Sequence, residues 1–147
     1  MIEISTIGFT KKNAEKFFSL LNDEGVETII DTRVNNTSQL SGFAKGGDLK
    51  FFAKEIAQID YFHEIDYAPT KELLKKYRSK DISWDEYEVE YLNLLDLRKI
   101  KSKVDVQKLH KGCLLCSEHT AEKCHRRLLA EYLQKSSSEK IIITHLK

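Results

Sequence analysis

Long hydrophobic runs are missing from this chain of 147 residues. No apolar stretch approaches the roughly 18–20 residues that span a bilayer, so we expect no membrane partner. The opening residues MIEISTIGFT contain no basic segment followed by a long apolar one, which predicts that there is no signal peptide. These two absences predict a cytoplasmic protein.

Cysteine is scarce, and neither sign of charge is in excess. The three cysteines are an odd number, and two of them flank a polar cluster, so we expect reduced thiols rather than a disulfide framework. The 24 basic and 23 acidic side chains give a formal net charge of +1. This balance argues against broad, non-specific binding of nucleic acid, although a local basic patch is compatible with it. The length suits one domain over residues 1–147.

Proline occurs once, and apolar residues alternate between strand and helix spacing along the chain. Residues 2–8 predict a first strand, and residues 26–32 predict a second one. Between them, residues 11–22 predict a helix with Thr10 as its N-cap and a glycine as its end. A strand, a helix and a strand in so short a stretch form a βαβ unit, which implies parallel strands.

The same alternation continues to the end of the chain. Residues 70–103 are charged and helical, with a capping box at Ser83 and Glu86, and predict a helical insertion packed over the sheet. Further elements are predicted at residues 48–59 (a helix capped by Asp48), 61–65 (a strand), 113–117 (a strand), about 120–135 (a helix) and 141–146 (a buried strand). The sum is an α/β fold, a three-layer α/β/α sandwich with a mostly parallel central sheet of about five strands.

A long polar segment, residues 33–47, follows the second strand. It contains glycines, lacks periodicity and is too long for an ordinary connection. Ser38, Phe43 and Lys45 are candidates for a lid over a site, but ordinary loop mobility explains the segment equally well.

The stretch CSEHTAEKCHRR, residues 116–127, concentrates reactive side chains after the fourth predicted strand. In an open parallel sheet, ligands bind beyond the carboxyl ends of the strands. Cys116 would end its strand and face the start of a helix, where the helix dipole lowers the pKa of a thiol. Cys124 and His125 would lie on the helix face toward the sheet, next to Glu118. We therefore expect these four residues to be the catalytic candidates.

Arginines near the same edge predict an anion site. Asp31 and Arg33 are two apart at the end of the second strand and point the same way, so the carboxylate is expected to orient the guanidinium. Arg126 lies at the boundary of its helix face and is expected to turn back toward the strand ends. Gly8 and Thr10 follow the first strand and offer backbone amides. These five residues are the candidates for substrate binding.

A metal site is the rival interpretation of the cysteines. Cys113 and Cys116 are three apart on a strand, so their side chains are expected on opposite faces, unlike the knuckle of a structural zinc site. The sequence therefore predicts no metal, while leaving open a site formed by Cys116, Glu118, Cys124 and His125. The residues indicate no particular cofactor.

Several of these stretches resemble the domain of unknown function 488 family of bacteria and archaea. The resemblance rests on STIGFT at 5–10, IIDTR at 29–33, APTKELL at 68–74, ISWDEYEVEYLNLL at 82–95, the C-x-E-x(5)-CHR pattern from Cys116 through Arg126, and the closing IIITHL. It implies a small α/β/α cytoplasmic domain of unestablished activity, with Asp31, Arg33, Cys116, Glu118, Cys124, His125 and Arg126 as motif positions. Many relatives have prolines where this chain has VNNTS and EHTAEK, so its loop geometry is expected to differ.

IIDTR followed later by a strand-end cysteine is also similar, more weakly, to rhodanese-like sulfurtransferases. Three functions therefore stay open. The first is an enzyme for a small anionic or nucleotide-like ligand, in which Arg33 and Arg126 hold the anion, Glu118 or His125 moves a proton, and Cys116 is a nucleophile or a pocket wall. The others are a sulfurtransferase with a persulfide on Cys116, and a non-enzymatic module for nucleic acid or protein.

Overall fold

Five parallel strands form the centre of the computed structural model, which describes residues 1–37 and 42–147. Their order in the sheet is β3-β2-β4-β1-β5. The bounds are β1 Ile2–Gly8, β2 Thr28–Asp31, β3 Asp60–His63, β4 Gly112–Cys116 and β5 Ile141–His145. Every pairing in this sheet is parallel, which confirms the predicted α/β class and sharpens "mostly parallel" to all parallel.

Helices cover both faces of the sheet and complete the three layers. They are α1 Ala14–Glu24, α2 Gly46–Ala57, α3 Lys71–Arg78, α4 Trp84–Leu97, α5 Ile100–Lys103 and α6 His125–Ser136. One core joins apolar side chains of α1 and α2 to one sheet face, and a second joins α3, α4 and α6 to the other. Burial of these faces is the main favourable contribution to folding. Among the described residues, no helix has the length and apolarity needed to cross a membrane.

Two helix starts differ from the sequence prediction. The N-cap of α1 is Asn13, whose side chain accepts a hydrogen bond from the Lys16 amide at 2.8 Å. Thr10, the predicted cap, bonds instead to the carbonyl of Ser117. Helix α2 begins at Gly46 without a side-chain cap, and Asp48 lies in its first turn. An acidic residue in the first turn interacts favourably with the helix dipole, which explains why the sequence predicted Asp48 as the cap.

The start of α6 is the largest difference, because the helix begins at His125 and not near residue 120. Cys124 is its N-cap residue and has extended backbone angles. The carbonyls of Glu118 and Glu122 accept hydrogen bonds from the guanidinium groups of Arg126 and Arg127, at 2.7 and 2.9 Å. Since these side chains satisfy the carbonyls, the segment between β4 and α6 does not need helical hydrogen bonds.

Other local predictions are confirmed. Gly25 ends α1 in the left-handed conformation with φ 77°, as expected of a helix-terminating glycine. Ser83 and Glu86 form the reciprocal hydrogen bonds of a capping box at the start of α4.

The strand register brings three strand ends to the same level. In the β1–β4 pair, Gly8 is opposite Cys116, and in the β2–β4 pair, Asp31 is opposite Leu115. The ladder continues past β2, where the Thr32 amide donates to the Leu115 carbonyl at 3.0 Å. The loops after β1, β2 and β4 therefore meet at one edge, as the parallel topology predicts.

Gly8 allows the closest of these approaches. A Cβ atom at this position would lie 1.5 Å from the Glu118 carbonyl oxygen and 3.0 Å from Nη1 of Arg126. No side chain fits there unless the backbone of the loop after β4 moves. Glycine is thus required by the packing of one backbone on another.

We expect Gly8→Ala to lower the free energy of unfolding by about 1–3 kcal/mol or more, since it forces the overpacked loop to shift. Gly47→Ala is a matched control, because no described atom lies within 4 Å of the Cβ it would carry. On the exposed first turn of α2, that change should leave stability equal or slightly higher. Urea denaturation of both variants measures the difference. Equal stability of the two variants would contradict the close approach at Gly8.

Candidate functional site

A cavity of about 200 Å³ opens at this edge of the sheet. The loops after β2 and β4 and the start of α6 form one side of it, and α3 and α4 form the other. Its lining residues are Arg33, Val34, Asn35, Pro69, Leu74, Tyr77, Arg78, Trp84, Tyr87, Cys116, Ser117, Glu118, Lys123, Cys124 and His125. All four catalytic candidates from the sequence therefore border one cavity.

Cys116 and His125 form a thiol–imidazole pair in this cavity. The Sγ atom of Cys116 lies 3.6 Å from Nδ1 of His125. The other ring nitrogen, Nε2, lies 2.8 Å from the carbonyl oxygen of Thr32, which only accepts hydrogen bonds. Nε2 must therefore carry a hydrogen, and Nδ1 is left to exchange a proton with the sulfur.

Thr32 also restrains the imidazole through its side chain. Its hydroxyl donates to the Leu115 carbonyl at 2.7 Å and lies 3.1 Å from Nε2 of His125. The ring of Tyr91 contacts the imidazole edge-on, with the ring centroids 5.5 Å apart. Backbone, hydroxyl and aromatic contacts thus fix one orientation of the ring.

The surroundings of Cys116 favour its thiolate. A hydrogen bond from the Cys124 thiol holds the pKa of Cys116 well below its ordinary value, although burial opposes this shift. The charges of His125 and Arg126 lower the pKa of Cys116 further. The pKa of Cys124 is raised instead, by burial and by the neighbouring Cys116. We assign the lowered pKa of this thiol pair to Cys116, because its sulfur also lies beside Nδ1 of His125.

His125 has the complementary shift. Burial lowers its pKa, but the negative charge of Cys116 and the Thr32 carbonyl outweigh burial and raise the pKa above its usual value. A lowered thiol pKa beside a raised imidazole pKa describes a thiolate–imidazolium pair, which titrates as a unit.

Arg33 borders the cavity, is buried, and is held by Asp31 and Phe9. Its Nε and Nη2 donate to the two carboxylate oxygens of Asp31 at 2.8 and 2.7 Å. Its guanidinium carbon lies 5.3 Å from the ring centroid of Phe9. The remaining nitrogen, Nη1, is buried and has no hydrogen-bond partner among the described residues. The expected Asp31–Arg33 pair is thus present, with one donor free.

Tyr61 supports the Asp31 carboxylate from β3. Its hydroxyl donates to Asp31 and accepts a hydrogen bond from the Asn36 side chain at 2.9 Å. Burial and the hydrogen bond to Asp31 raise the pKa of Tyr61 to about 12, so the phenol keeps its proton at neutral pH. This network fixes the carboxylate that in turn orients Arg33.

Arg126 turns back toward the strand ends, as expected, but it does not line the cavity. It is 0% exposed, and its Nη1 donates to the Glu118 carbonyl at 2.7 Å and to the sulfur of Cys124 at 3.4 Å. Its Nε has no hydrogen-bond partner within the described part of the chain. Arg126 therefore supplies a buried positive charge behind the cysteines and fastens the loop after β4.

Of the other candidates, only Glu118 borders the cavity. Glu118 is exposed and borders the cavity. Gly8 packs under the carbonyl of Glu118, and Thr10 is exposed and binds the Ser117 carbonyl through both its amide and its hydroxyl. Neither Gly8 nor Thr10 lines the cavity; both hold the loop that does.

Three side chains could hold a metal ion. The ligand atoms of Cys116, Cys124 and His125 all lie within 4.8 Å of one another. Cys113 is on the opposite sheet face, in the core with α1 and α2, as its spacing predicts. Glu118 is not part of this cluster. Three ligands with an open side resemble the donor set of a catalytic zinc site more than that of a structural one.

Two of the three lid candidates do not line the cavity, and the third lies outside the described residues. Phe43 packs against Phe17 of α1, with ring centroids 5.3 Å apart. Lys45 is exposed and is the N-cap residue of α2. Ser38 lies outside the described residues. The lid remains a prediction.

Sequence reasoning missed Thr32, Tyr61 and the aromatic wall formed by Tyr77, Trp84 and Tyr87. Thr32 lies between Asp31 and Arg33, which the sequence already indicates as site candidates. Its side chain should alternate with that of Asp31, and this was the signal that could have identified Thr32. The helical spacing of Trp84 and Tyr87 predicted packing over the sheet, and both also border the cavity. No pattern indicated Tyr61.

The family model described as "Domain of unknown function DUF488" matches residues 13–133. No curated protein and no solved structure matches the chain. The family match does not show the similarity to rhodanese-like domains. It includes the whole motif from Cys116 through Arg126, and it covers far more than half of the chain. The chain therefore belongs to the family of domain of unknown function DUF488.

Proposed function

We propose that this protein is an enzyme in which the Cys116 thiolate attacks a small substrate whose anionic group binds Arg33. The observation that carries this proposal is the shared cavity, which is lined both by a thiol paired with an imidazole and by a buried guanidinium that has one donor without a partner among the described residues. A nucleophile with a lowered pKa and a positioned base is the usual arrangement of covalent thiol catalysis.

His125 acts as the proton carrier in this proposal. In the resting site it holds the proton that Cys116 has lost. When the sulfur forms a bond to the substrate, the bond to the leaving group breaks, and His125 gives its proton to that group. A water molecule then attacks the Cys116 adduct and returns a proton to His125, which restores the starting pair. Glu118, at the rim, is a second candidate for the proton transfer from water.

The two arginines have different tasks. Arg33 borders the cavity and offers Nη1 to the anion, while Asp31 keeps its other nitrogens occupied. Arg126 does not border the cavity, so we assign it to stabilising the thiolate. Cys124 also belongs to this supporting group, because its thiol donates a hydrogen bond to Cys116.

We expect Cys116 to react with iodoacetamide well below pH 8, where a free cysteine thiol, with a pKa of about 8.5, is mostly protonated. Because the pKa of Cys116 is lowered, its thiolate persists as the pH falls and is lost only below that lowered pKa. Cys113 is an internal control: burial raises the pKa of Cys113 to about 12, so it should stay unmodified. Mass spectrometry of peptides from timed reactions gives both rates.

His125→Gln should move the reactivity of Cys116 to higher pH by about one unit or more, since the positive partner is removed. Alkylation of wild-type Cys116 that begins only above pH 8 would contradict the proposed nucleophile. One bound zinc per chain that disappears in Cys116→Ser would contradict it as well and would assign the cluster to a metal. Formation of a persulfide on Cys116 from thiosulfate would support Cys116 as the nucleophile but would contradict the hydrolytic step and identify the reaction as sulfur transfer.

A second prediction concerns the anion. Inorganic phosphate or sulfate should slow the alkylation of Cys116 by occupying the cavity. Arg33→Lys keeps a positive charge beside Asp31 but removes the second guanidinium nitrogen, Nη1, which is proposed to bind the anion. The protection of Cys116 by phosphate or sulfate should therefore weaken about tenfold. The lysine variant is preferred to a neutral one, because loss of the charge leaves a buried carboxylate unpaired at a cost of about 3–5 kcal/mol.

Lys123→Gln is the matched control for charge, since Lys123 borders the same cavity but is exposed. Its removal should leave the protection nearly unchanged. Thermal unfolding of each variant verifies that the fold is intact. If Arg33→Lys retains full protection while Lys123→Gln loses it, the anion binds at the rim and the assignment to Arg33 is wrong.

A further inference from the structure

We propose that the substrate is a phosphate monoester carried on a planar aromatic ring system, whose ring stacks on Trp84 while Arg33 and the start of α6 bind the phosphate. This inference rests on the proposed function, because it names the substrate class of the same site. It depends on three features of the cavity: its anion end, its aromatic wall and its continuation into a wider groove.

The anion end offers donors from two directions. Arg33 contributes the buried Nη1 that has no partner among the described residues. The start of α6 borders the same cavity through Cys124 and His125, and its N-cap side chain makes no capping hydrogen bond. The Arg127 amide of this helix start already donates to the Cys124 carbonyl at 3.1 Å, so the helix contributes chiefly the partial positive charge of its dipole. That charge and a guanidinium together suit an oxyanion with several oxygens. A phosphate monoester can contact both groups at once and still present its phosphorus to Cys116.

The aromatic wall is rigid and partly open. Trp84 stacks on Tyr87 with ring centroids 5.3 Å apart at an interplanar angle of 22°, and Tyr77 contacts Trp84 at 5.6 Å. Tyr87 is buried, whereas Tyr77 and Trp84 are half-buried. Since Tyr87 covers one face of Trp84, the indole is fixed in place and offers its remaining surface to a ligand. A planar ring gains most from such a surface.

The wider groove begins where the cavity ends. It shares Tyr77, Arg78, Trp84, Glu118 and Lys123 with the cavity, so Trp84 stands at their junction. The cavity of about 200 Å³ is smaller than the roughly 300–1,000 Å³ of a site that encloses a whole drug-sized ligand. We infer that the reacting phosphate enters the cavity and the ring remains at the junction.

The charges of the groove limit the ligand to one localised anion. Three cations border it, and so do three carboxylates: Arg78, Lys80 and Lys123, with Asp81, Glu86 and Glu118. This balance gives a long polyanion no net attraction, whereas nucleic-acid grooves are strongly positive. A mononucleotide or an aryl phosphate matches a site with its attraction concentrated at Arg33 and its stacking surface at Trp84.

Trp84 is the single tryptophan of the chain, so its fluorescence reports directly on the proposed contact. Adenosine 5′-monophosphate, phenyl phosphate, adenosine and inorganic phosphate are titrated while Trp84 emission and the protection of Cys116 from iodoacetamide are recorded. We expect the ring-bearing phosphates to quench the emission and to bind about tenfold or more tightly than inorganic phosphate. The ranking of the first two compounds distinguishes a nucleotide from a simpler aryl ester.

Variants separate stacking from folding. Trp84→Leu should reduce protection by ring-bearing phosphates to the level of inorganic phosphate, and Trp84→Phe should restore part of the difference. Protection is expressed for each variant as the ratio of its own alkylation rates without and with ligand, because Trp84 borders the cavity that iodoacetamide enters. Phe51→Leu is a matched control, because Phe51 is an exposed aromatic residue on α2 that lines neither the cavity nor the groove.

Two results would overturn the inference. Equal affinity for inorganic phosphate and for both ring-bearing phosphates would show that no ring is recognised. Tighter binding of a single-stranded oligonucleotide than of mononucleotides, with a steep dependence on salt, would assign the groove to nucleic acid. The fluorescence titration does not need a reactive thiol, so failure of the ring contact is distinguishable from failure of the Cys116 chemistry.

Discussion

The rest of the site depends on the buried guanidinium of Arg126. Removing a cation from water is costly unless nearby groups compensate it. Here a carbonyl of the loop after β4 and the sulfur of Cys124 accept hydrogen bonds from Arg126, and its positive charge favours the thiolate of Cys116. The arginine that holds the loop therefore also stabilises the thiolate of Cys116 through its charge. Because Gly8 leaves room for the Glu118 carbonyl, the loop can lie flat on β1 and keep this geometry.

A second ion pair, between Asp31 and Arg33, is built in a different way. Its charges are balanced within the pair, and Phe9 and Tyr61 pack or hydrogen-bond around it. In the proposed function it would offer a ligand one donor at a fixed orientation, which serves binding more than long-range attraction. The site thus divides its positive charge between Arg33, which borders the cavity, and Arg126, which does not.

Much of this was predictable from short-range patterns, and the failures have tertiary causes. Because successive side chains of a strand point to opposite faces, the sequence predicted that Cys113 and Cys116 lie on opposite faces and that Asp31 and Arg33 point the same way. The predicted start of α1 at Thr10 was wrong because Thr10 binds Ser117, far away in sequence, and the helix is capped by Asn13 instead. The late start of α6 follows from arginine–carbonyl bonds that no local propensity encodes. Helical spacing located Trp84 and Tyr87 on a packed face, but it did not reveal that this face reaches the end of β4.

The two halves of the site come from different elements of the fold, and this bears on specificity. The thiol, the imidazole and their supporting arginine lie on β4 and α6, which are joined by one short loop. The aromatic wall lies on α3 and α4, in the segment between β3 and β4, and it contacts the sheet from outside. Tyr91, which is also on α4, contacts the imidazole of His125, so substitutions that spare the Cys116–His125 pair are confined to the outer residues Tyr77 and Trp84. In the proposed enzyme, the sheet edge would therefore determine the reaction, and the outer aromatic residues of α3 and α4 would determine the choice of substrate.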